Sequence, residues 1–338
     1  MADLTASAGL VRGLLEFAVT RGAERQMLAA RAGIDERALE DSDTRLPFDN
    51  YVALMREATA LCGDPALALH YGESIDMSEV SIVGLIMNAS ETMAEAFAQL
   101  QRFSQLALEV EGAGERFGVT VRDGALWIVD QRHNPNDFPQ LSEITFSRLA
   151  CGPRRFLPQS HILEVHFTHP APSYRQEYER VFDCRVVFDS EWNAMRMHPE
   201  AASWRVALQP RYVFGVLTER ADMLMQSLHD SRTMRAQVEG IILPILHKGD
   251  ANADAIAHVM GFSRQTLFRR LKEEGVTFEE VLDELRHRMA THYLQGKRAS
   301  VNQVAYLVGF SDRASFSRAF KRWTGRSPGE VRAQVHRT

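Results

Sequence analysis

Apolar residues recur at helical spacing through most of residues 1–110, and the pattern predicts helices over 10–21, 47–61 and 92–110. The period then drops to two. Residues 117–121 and 125–129 alternate as strands around a turn at Asp123-Gly124. A helix over 140–156, a strand over 162–169 and a short strand over 185–188 complete an α+β arrangement for residues 1–205. Residues 206–231 are expected to form a linker helix; their apolar positions, 213, 216, 217, 224 and 228, are spaced too irregularly for a coiled coil. From 232 to 338 only the helical period remains, which predicts an all-α domain.

That last domain contains a repeat. AIAHVMGFSRQTLFRRLKEEGVTFEEV begins at Ala255 and QVAYLVGFSDRASFSRAFKRWTGRSPGEV at Gln303. Ala257, Gly261, Phe262 and Ser263 match Ala305, Gly309, Phe310 and Ser311. After one inserted residue, Leu267, Arg269, Leu271 and Lys272 match Phe316, Arg318, Phe320 and Lys321. Each unit reads as a short helix carrying a small inward alanine, stopped by a glycine that reverses the chain in the left-handed conformation. A phenylalanine plugs the corner, and Ser263 or Ser311 is expected to cap a second helix. Leu267 and Leu271, or Phe316 and Phe320, bury one face of that helix and leave arginines on the other. A helical hairpin with a solvated arginine face would account for one such unit; two copies in a basic region favour two helix-turn-helix readers.

Between the units, residues 277–293 read as one continuous helix. Thr277 and Glu280 form a capping box, and Phe278, Val281, Leu282, Leu285, Met289 and Tyr293 form its stripe. Such a helix spans roughly 25–30 Å, against about 34 Å between successive major grooves. Ser300 with Gln303, and Ser327-Pro328 with Glu330, repeat the capping signal for two further helices.

The second unit, through Ala305, Gly309-Phe310, Ser315, Phe316, Arg318, Phe320-Lys321, Gly325 and Ser327-Pro328, resembles the AraC/XylS family of transcription regulators. The resemblance implies base-reading positions at Arg264, Gln265 and Arg269 in the first recognition helix and at Arg313, Ala314, Ser315 and Arg318 in the second. Arginine pairs with guanine and glutamine with adenine, while Ala314 offers only apolar contact, as to a thymine methyl. Arg270, Lys272, Lys321, Arg322 and Arg326 are the candidates for phosphate contacts. Two positions depart from the pattern. Val331 stands where an aromatic residue is common, and Phe268 lies where a polar, DNA-facing residue is usual. Residues 1–205 resemble the large arabinose-binding-type sensing domain of one subset of that family, which implies an effector-binding or dimer-forming part. The family analogy implies activation rather than repression.

Charge sharpens this division. The chain has 338 residues and a formal net charge of −5, but 232–338 holds 18 Lys+Arg against 11 Asp+Glu, a net of +7, which leaves 1–231 at −12. One end attracts phosphate and the other repels it. With 45% apolar and 25% charged residues, two globular domains with their own cores are expected. No stretch is long and apolar enough for a spanning helix and no leader pattern is seen, so a cytoplasmic address is expected. Cys62, Cys151 and Cys184 lack metal or redox spacing and read as buried small residues.

His161, His166 and His169, with Cys184, are the residues that invite a metal reading. On a regular strand His166 shares a face with Glu164 and Thr168 while His169 points away, so no metal site is expected. No phosphate loop, nucleophile elbow or H-E-x-x-H helix is present, and neither an enzyme nor a cofactor is expected. Met27, Met55, Met77, Met87, Met93, Phe97, Phe103 and Trp127 suit either an apolar effector pocket or ordinary core. Candidate partners are double-stranded promoter DNA, a small-molecule effector, RNA polymerase and a second copy of the chain. The rivals are a structural DNA-binding protein of low specificity and a DNA-tethered enzyme.

Overall fold

The computed structural model describes residues 4–110, 116–157, 159–231, 233–295 and 299–335. Contacts divide the chain into two compact units, Met1–Gln226 and Ser227–Thr338.

The first unit opens with strand β1 (Thr5–Ser7), helices α1 (Ala8–Thr20) and α2 (Arg25–Arg31), strand β2 (Arg45–Pro47) and α3 (Phe48–Cys62). Helices α4 (Leu67–Ser74), α5 (Met77–Val80), α6 (Ile82–Ala89) and α7 (Met93–Ala107) follow. Then come β3 (Phe117–Arg122), β4 (Ala125–Asp130), α8 (Gln140–Arg154), β5 (Ile162–His166), α9 (Arg175–Phe182), β6 (Arg185–Val187) and β7 (Asn193–Met197). Helix α10 (Arg211–Ser231) contributes its residues as far as Gln226; Arg102 with Asp222, Arg211 with Glu95 and Arg220 with Asp43 are among its ion pairs within this unit.

The main sheet has the order β3-β4-β7-β5-β6, antiparallel except for the β5–β6 pair, which α9 connects as a parallel crossover. The expected helices and strands are present, with β5 ending at His166 rather than at residue 169. The strands absent from the pattern are the short β1 and β2, of three residues each, and β7 in the main sheet. Four of the five residues of β7, Asn193, Ala194, Met195 and Met197, are buried, so no polar–apolar alternation marks it. Its position is central: it pairs with both β4 and β5.

Two apolar clusters fill this unit. One joins α1 to α4 around Leu14, Tyr51, Leu54 and Tyr71; the other lies on the sheet around Phe146, Phe167, Tyr178 and Phe182. Met55 and Phe103 are core, Trp127 packs against His166 and Trp192, and Met27 is exposed; none of the four lines either of the two apolar cavities of this unit. The three cysteines are half-buried rather than buried, and burial still pushes the Cys184 thiol up to about 11.

Several polar side chains of the interior are satisfied in groups. Asp130 stands between Arg116 at 3.1 Å and Arg132 at 3.0 Å and accepts from Ser142 at 3.2 Å, so the two guanidinium groups hold its carboxyl below its ordinary range despite burial. The histidines do not converge. His166 lies between Glu164 and Ser190, and His169 sits in the aromatic cluster beside Tyr178. His161 has a different task. Pro153 lies inside α8 and has no N–H, so the Leu149 carbonyl one turn earlier lacks its helical donor. The His161 ring supplies it, Nε2 donating over 2.8 Å.

That arrangement makes His161 acid-sensitive. Burial pushes its pKa down from 6.5 to about 4, so the unfolded chain takes up the proton first and stability falls as pH drops from 6.5 through 4, by about 3 kcal/mol in all. His161→Gln keeps a donor without the titration. The difference in thermal stability between the variant and the parent, measured from pH 7 to pH 4, is expected to move in the variant's favour across that window; a constant difference would remove His161 as the cause.

Candidate nucleic-acid interface

The second unit begins with α11 (Met234–Ile242) and a 3-10 turn over Leu243–Lys248, followed by α12 (Ala253–Val259), α13 (Arg264–Glu273) and α14 (Phe278–Gln295). It closes with α15 (Val301–Leu307), α16 (Arg313–Thr324) and α17 (Pro328–Val335). One apolar core joins them, with Leu267, Leu271, Leu285, Phe316 and Phe320 fully buried.

The two repeats fold alike at the corner. A helix that stops leaves carbonyls without donors, and the chain must turn back to supply them. At the end of α12, Gly261 (φ 69°) donates to His258 at 3.1 Å and Phe262 donates to Ala257 at 2.8 Å. At the end of α15, Gly309 (φ 79°) donates to Tyr306 at 3.0 Å and Phe310 to Ala305 at 2.9 Å. This is the Schellman pattern, with glycine in the left-handed position and the repeated alanine as the acceptor five residues before phenylalanine. Each phenylalanine then carries an arginine on its face: Arg270 over Phe262 at 4.3 Å and Arg286 over Phe310 at 4.9 Å.

The inserted residue of the second repeat changes its cap. Ser263 caps α13, accepting from Thr266 N–H at 3.2 Å. Ser311 does not cap α16; Asp312 does, accepting from Ser315 N–H at 2.8 Å, because the insertion moves the helix start one residue on. The Ser315 N–H holds the Asp312 carboxyl below its ordinary range, and a carboxylate is the stronger acceptor at a helix N-terminus. The connector begins as expected, with Thr277 and Glu280 bonded reciprocally, and the Ser300–Gln303 and Ser327–Glu330 caps are present.

With the helix starts superposed, Arg264 corresponds to Arg313, Gln265 to Ala314 and Arg269 to Arg318. All six are exposed. Ser315 is half-buried: its hydroxyl donates to Asp312 at 2.7 Å and accepts from Arg318 at 2.9 Å, so it ties Arg318 to the cap. Arg264 pairs with Asp254 at 2.9 Å and stacks on Phe268, which is itself half-buried against the core. Phe268 therefore covers a core edge, and Val331 packs on the same core. Lys272, Lys321 and Arg326 are exposed. Arg270 is half-buried on Phe262, and Arg322 reaches Asp283 of α14 at 2.5 Å, an acceptor shared with the Trp323 ring N–H. Asp283, which binds α16 to the connector, was not visible in the sequence pattern because it reads there as one more solvated charge.

The chain matches known proteins on both sides of its charge division. Residues 22–206 match the N-terminal arabinose-binding domain of AraC transcription regulators, and residues 256–334 match a helix-turn-helix domain. The chain belongs to the AraC family. It is a DNA-binding transcription regulator with an N-terminal domain of ligand-binding type, and not an enzyme. The ornithine utilization regulator of Pseudomonas aeruginosa is 26% identical over 327 residues, 94% of each chain. The transcriptional activator RhaS of Escherichia coli is 42% identical over 84 residues, 25% of this chain and 30% of that one. The solved structure of the regulator CdpR from Pseudomonas aeruginosa aligns over 95% of this chain and 97% of that one, at 21% identity and a TM-score of 0.45. Among the described residues of this AraC-family chain, no helix is long and apolar enough to cross a membrane.

The two corners differ in how closely they are packed. A Cβ at position 261 would meet nothing within 4 Å, whereas one at 309 would stand 2.3 Å from the Leu246 carbonyl oxygen. Gly261→Ala is expected to cost about 1–2 kcal/mol for the left-handed backbone alone. Gly309→Ala adds a backbone clash and should cost clearly more, about 3 kcal/mol or above. Equilibrium denaturation of a 227–338 fragment checks the order; equal losses would refute it.

Proposed function

We propose that this chain is a one-component, sequence-specific activator that reads a promoter with α13 and α16 and is controlled by a small molecule bound within residues 1–205. The reading positions are Arg264, Gln265 and Arg269 in the first head and Arg313, Ala314, Ser315 and Arg318 in the second, with Ser315 holding Arg318 in place. Lys272, Lys321 and Arg326 contact phosphates, and Arg270 and Arg322 do so with the donors their internal partners leave over, since a guanidinium carries five. Residues 232–338 bind DNA, 206–231 connect, and RNA polymerase and a second copy of the chain are the protein partners.

The observation that carries this reading is the duplicated corner: two glycine-phenylalanine turns, each followed by a capped helix with arginine exposed at equivalent positions. Helix α14, with 18 residues at about 1.5 Å each, is about 27 Å long, comparable with the roughly 34 Å between successive major grooves. The net charge of +7 on 232–338 supports phosphate contact. The activator named among the relatives, RhaS, supports the direction of control.

Selection of sheared genomic DNA by the full-length chain at near-physiological salt is expected to enrich a few promoter sites; even retention across the genome would replace this reading with that of a structural DNA-binding protein. Arg318→Ala should lose about 1–3 kcal/mol of binding, concentrated on one base pair. Lys321→Ala should weaken all sequences alike and lower the slope of log K against log salt by about 0.9. Binding titrations on the enriched site and its single-base variants separate the two, and a uniform loss for Arg318→Ala would end its role as a reader.

A further inference from the structure

A cavity of about 260 Å³ lies within the first unit, just below the usual range of small-molecule sites. Most of its wall is apolar, including Leu100, Phe117 and Ile144. A second cavity of about 210 Å³ adjoins it and shares Met87, Met93, Leu149 and Pro153, so the flexible side chains of two methionines stand between them. Its own lining, with Phe97, Leu126, Ile128 and Met195, is almost wholly apolar.

Four charged residues reach the first cavity, and three are already occupied. Arg116 is paired with Asp130, the Asp76 carboxylate caps α5 through Ser78, and Arg155 donates to the carbonyls of Glu73 and Ser74. Arg148 is the fourth. It is half-buried at the cavity wall and has no ion-pair or hydrogen-bond partner among the described residues. Burial pushes its guanidinium down to about 10, and the charge on Arg116 acts in the same direction. The fully buried Tyr51 lines the same cavity, feels the Arg148 charge, and has a hydroxyl with no hydrogen-bond partner.

A half-buried cation without a counter-charge against an apolar wall is costly, and a buried, unsatisfied hydroxyl in the same cavity adds to that cost. Both are removed by one group: a carboxylate, which accepts two parallel N–H bonds from a guanidinium and another from a phenol. A phosphate would bring more charge than one cation neutralises. We propose that the effector is an amphipathic monocarboxylate whose head binds Arg148 and Tyr51 and whose linear hydrocarbon chain extends past Met87 and Met93 into the second cavity. This rests on the effector-controlled reading of residues 1–205. Position 148 had a sequence signal: with Leu141, Ile144 and Thr145 it falls at i, i+3, i+4 and i+7, placing a cation on the apolar face of α8.

Calorimetric titration of the full-length chain with hexanoate, decanoate and dodecanoate, with the corresponding primary alcohols and with benzoate, tests the site directly. Decanoate is expected to bind on the order of 10- to 100-fold more tightly than decanol, the ratio of a charge-assisted hydrogen-bonded pair to a neutral one, and more tightly than benzoate, which fills only the head cavity. Arg148→Met should remove the preference for the carboxylate and leave decanol binding in place. The ligand-free variant should also unfold a few degrees above the parent, since an uncompensated half-buried charge is gone. Equal binding of acid and alcohol, no binding by any carboxylate in the series, tighter binding of benzoate, or a less heat-stable Arg148→Met would each overturn the proposal. Operator occupancy with and without decanoate is read separately. Arg148-dependent binding that never alters occupancy would leave the carboxylate site standing and defeat effector control through it.

Discussion

A helix cannot end inside a folded domain unless its last carbonyls find donors, and the DNA-binding unit of this chain is organised by how that requirement is met. At both corners the answer is the same: glycine enters the left-handed conformation, phenylalanine returns its N–H to an alanine carbonyl, and the phenylalanine side chain is turned into the corner, where an arginine covers its face. The direction in which α13 and α16 leave their corners follows from those few bonds. Their caps then set which residues come first on each helix, and so which side chains stand exposed on its N-terminal half.

The second corner shows how one added residue is absorbed. The insertion moves the helix start and exchanges a hydroxyl cap for a carboxylate; Ser315 bonds the cap as Thr266 does in the first unit, and in addition accepts from Arg318. Its glycine is also pressed against the Leu246 carbonyl, while its counterpart in the first corner meets nothing. The two units thus share a plan but differ in how closely their corners are packed and in the side chains they expose.

The first unit follows the opposite economy. Many of its interior polar groups are matched: Asp130 stands between two arginines, and His161 fills the bond that Pro153 cannot make. Arg148 and Tyr51 stand apart because both line one mostly apolar cavity and neither has a hydrogen-bond partner among the described residues.

By itself the sequence determined the duplicated helix-turn-helix units, the capped connector and strands β3 to β6, because turn glycines, capping pairs and periodic apolar positions act within a few residues of one another. It also carried the charge division between the acidic and basic parts, which is a matter of counting. Tertiary structure alone decided the rest. Strand β7 is buried on both faces and has no alternation to betray it, and the cap at Asp312 depended on where the corner placed the helix start. Arg322 reads as a free cation until α14 brings Asp283 to it, and Phe268 as a DNA-facing ring until the core receives it. Arg148 and Tyr51 lie almost a hundred residues apart, and only packing α8 against the helices around it puts a cation and a phenol into one cavity. A side chain's partners over such distances are set by the summed burial of many apolar groups, which no local spacing records.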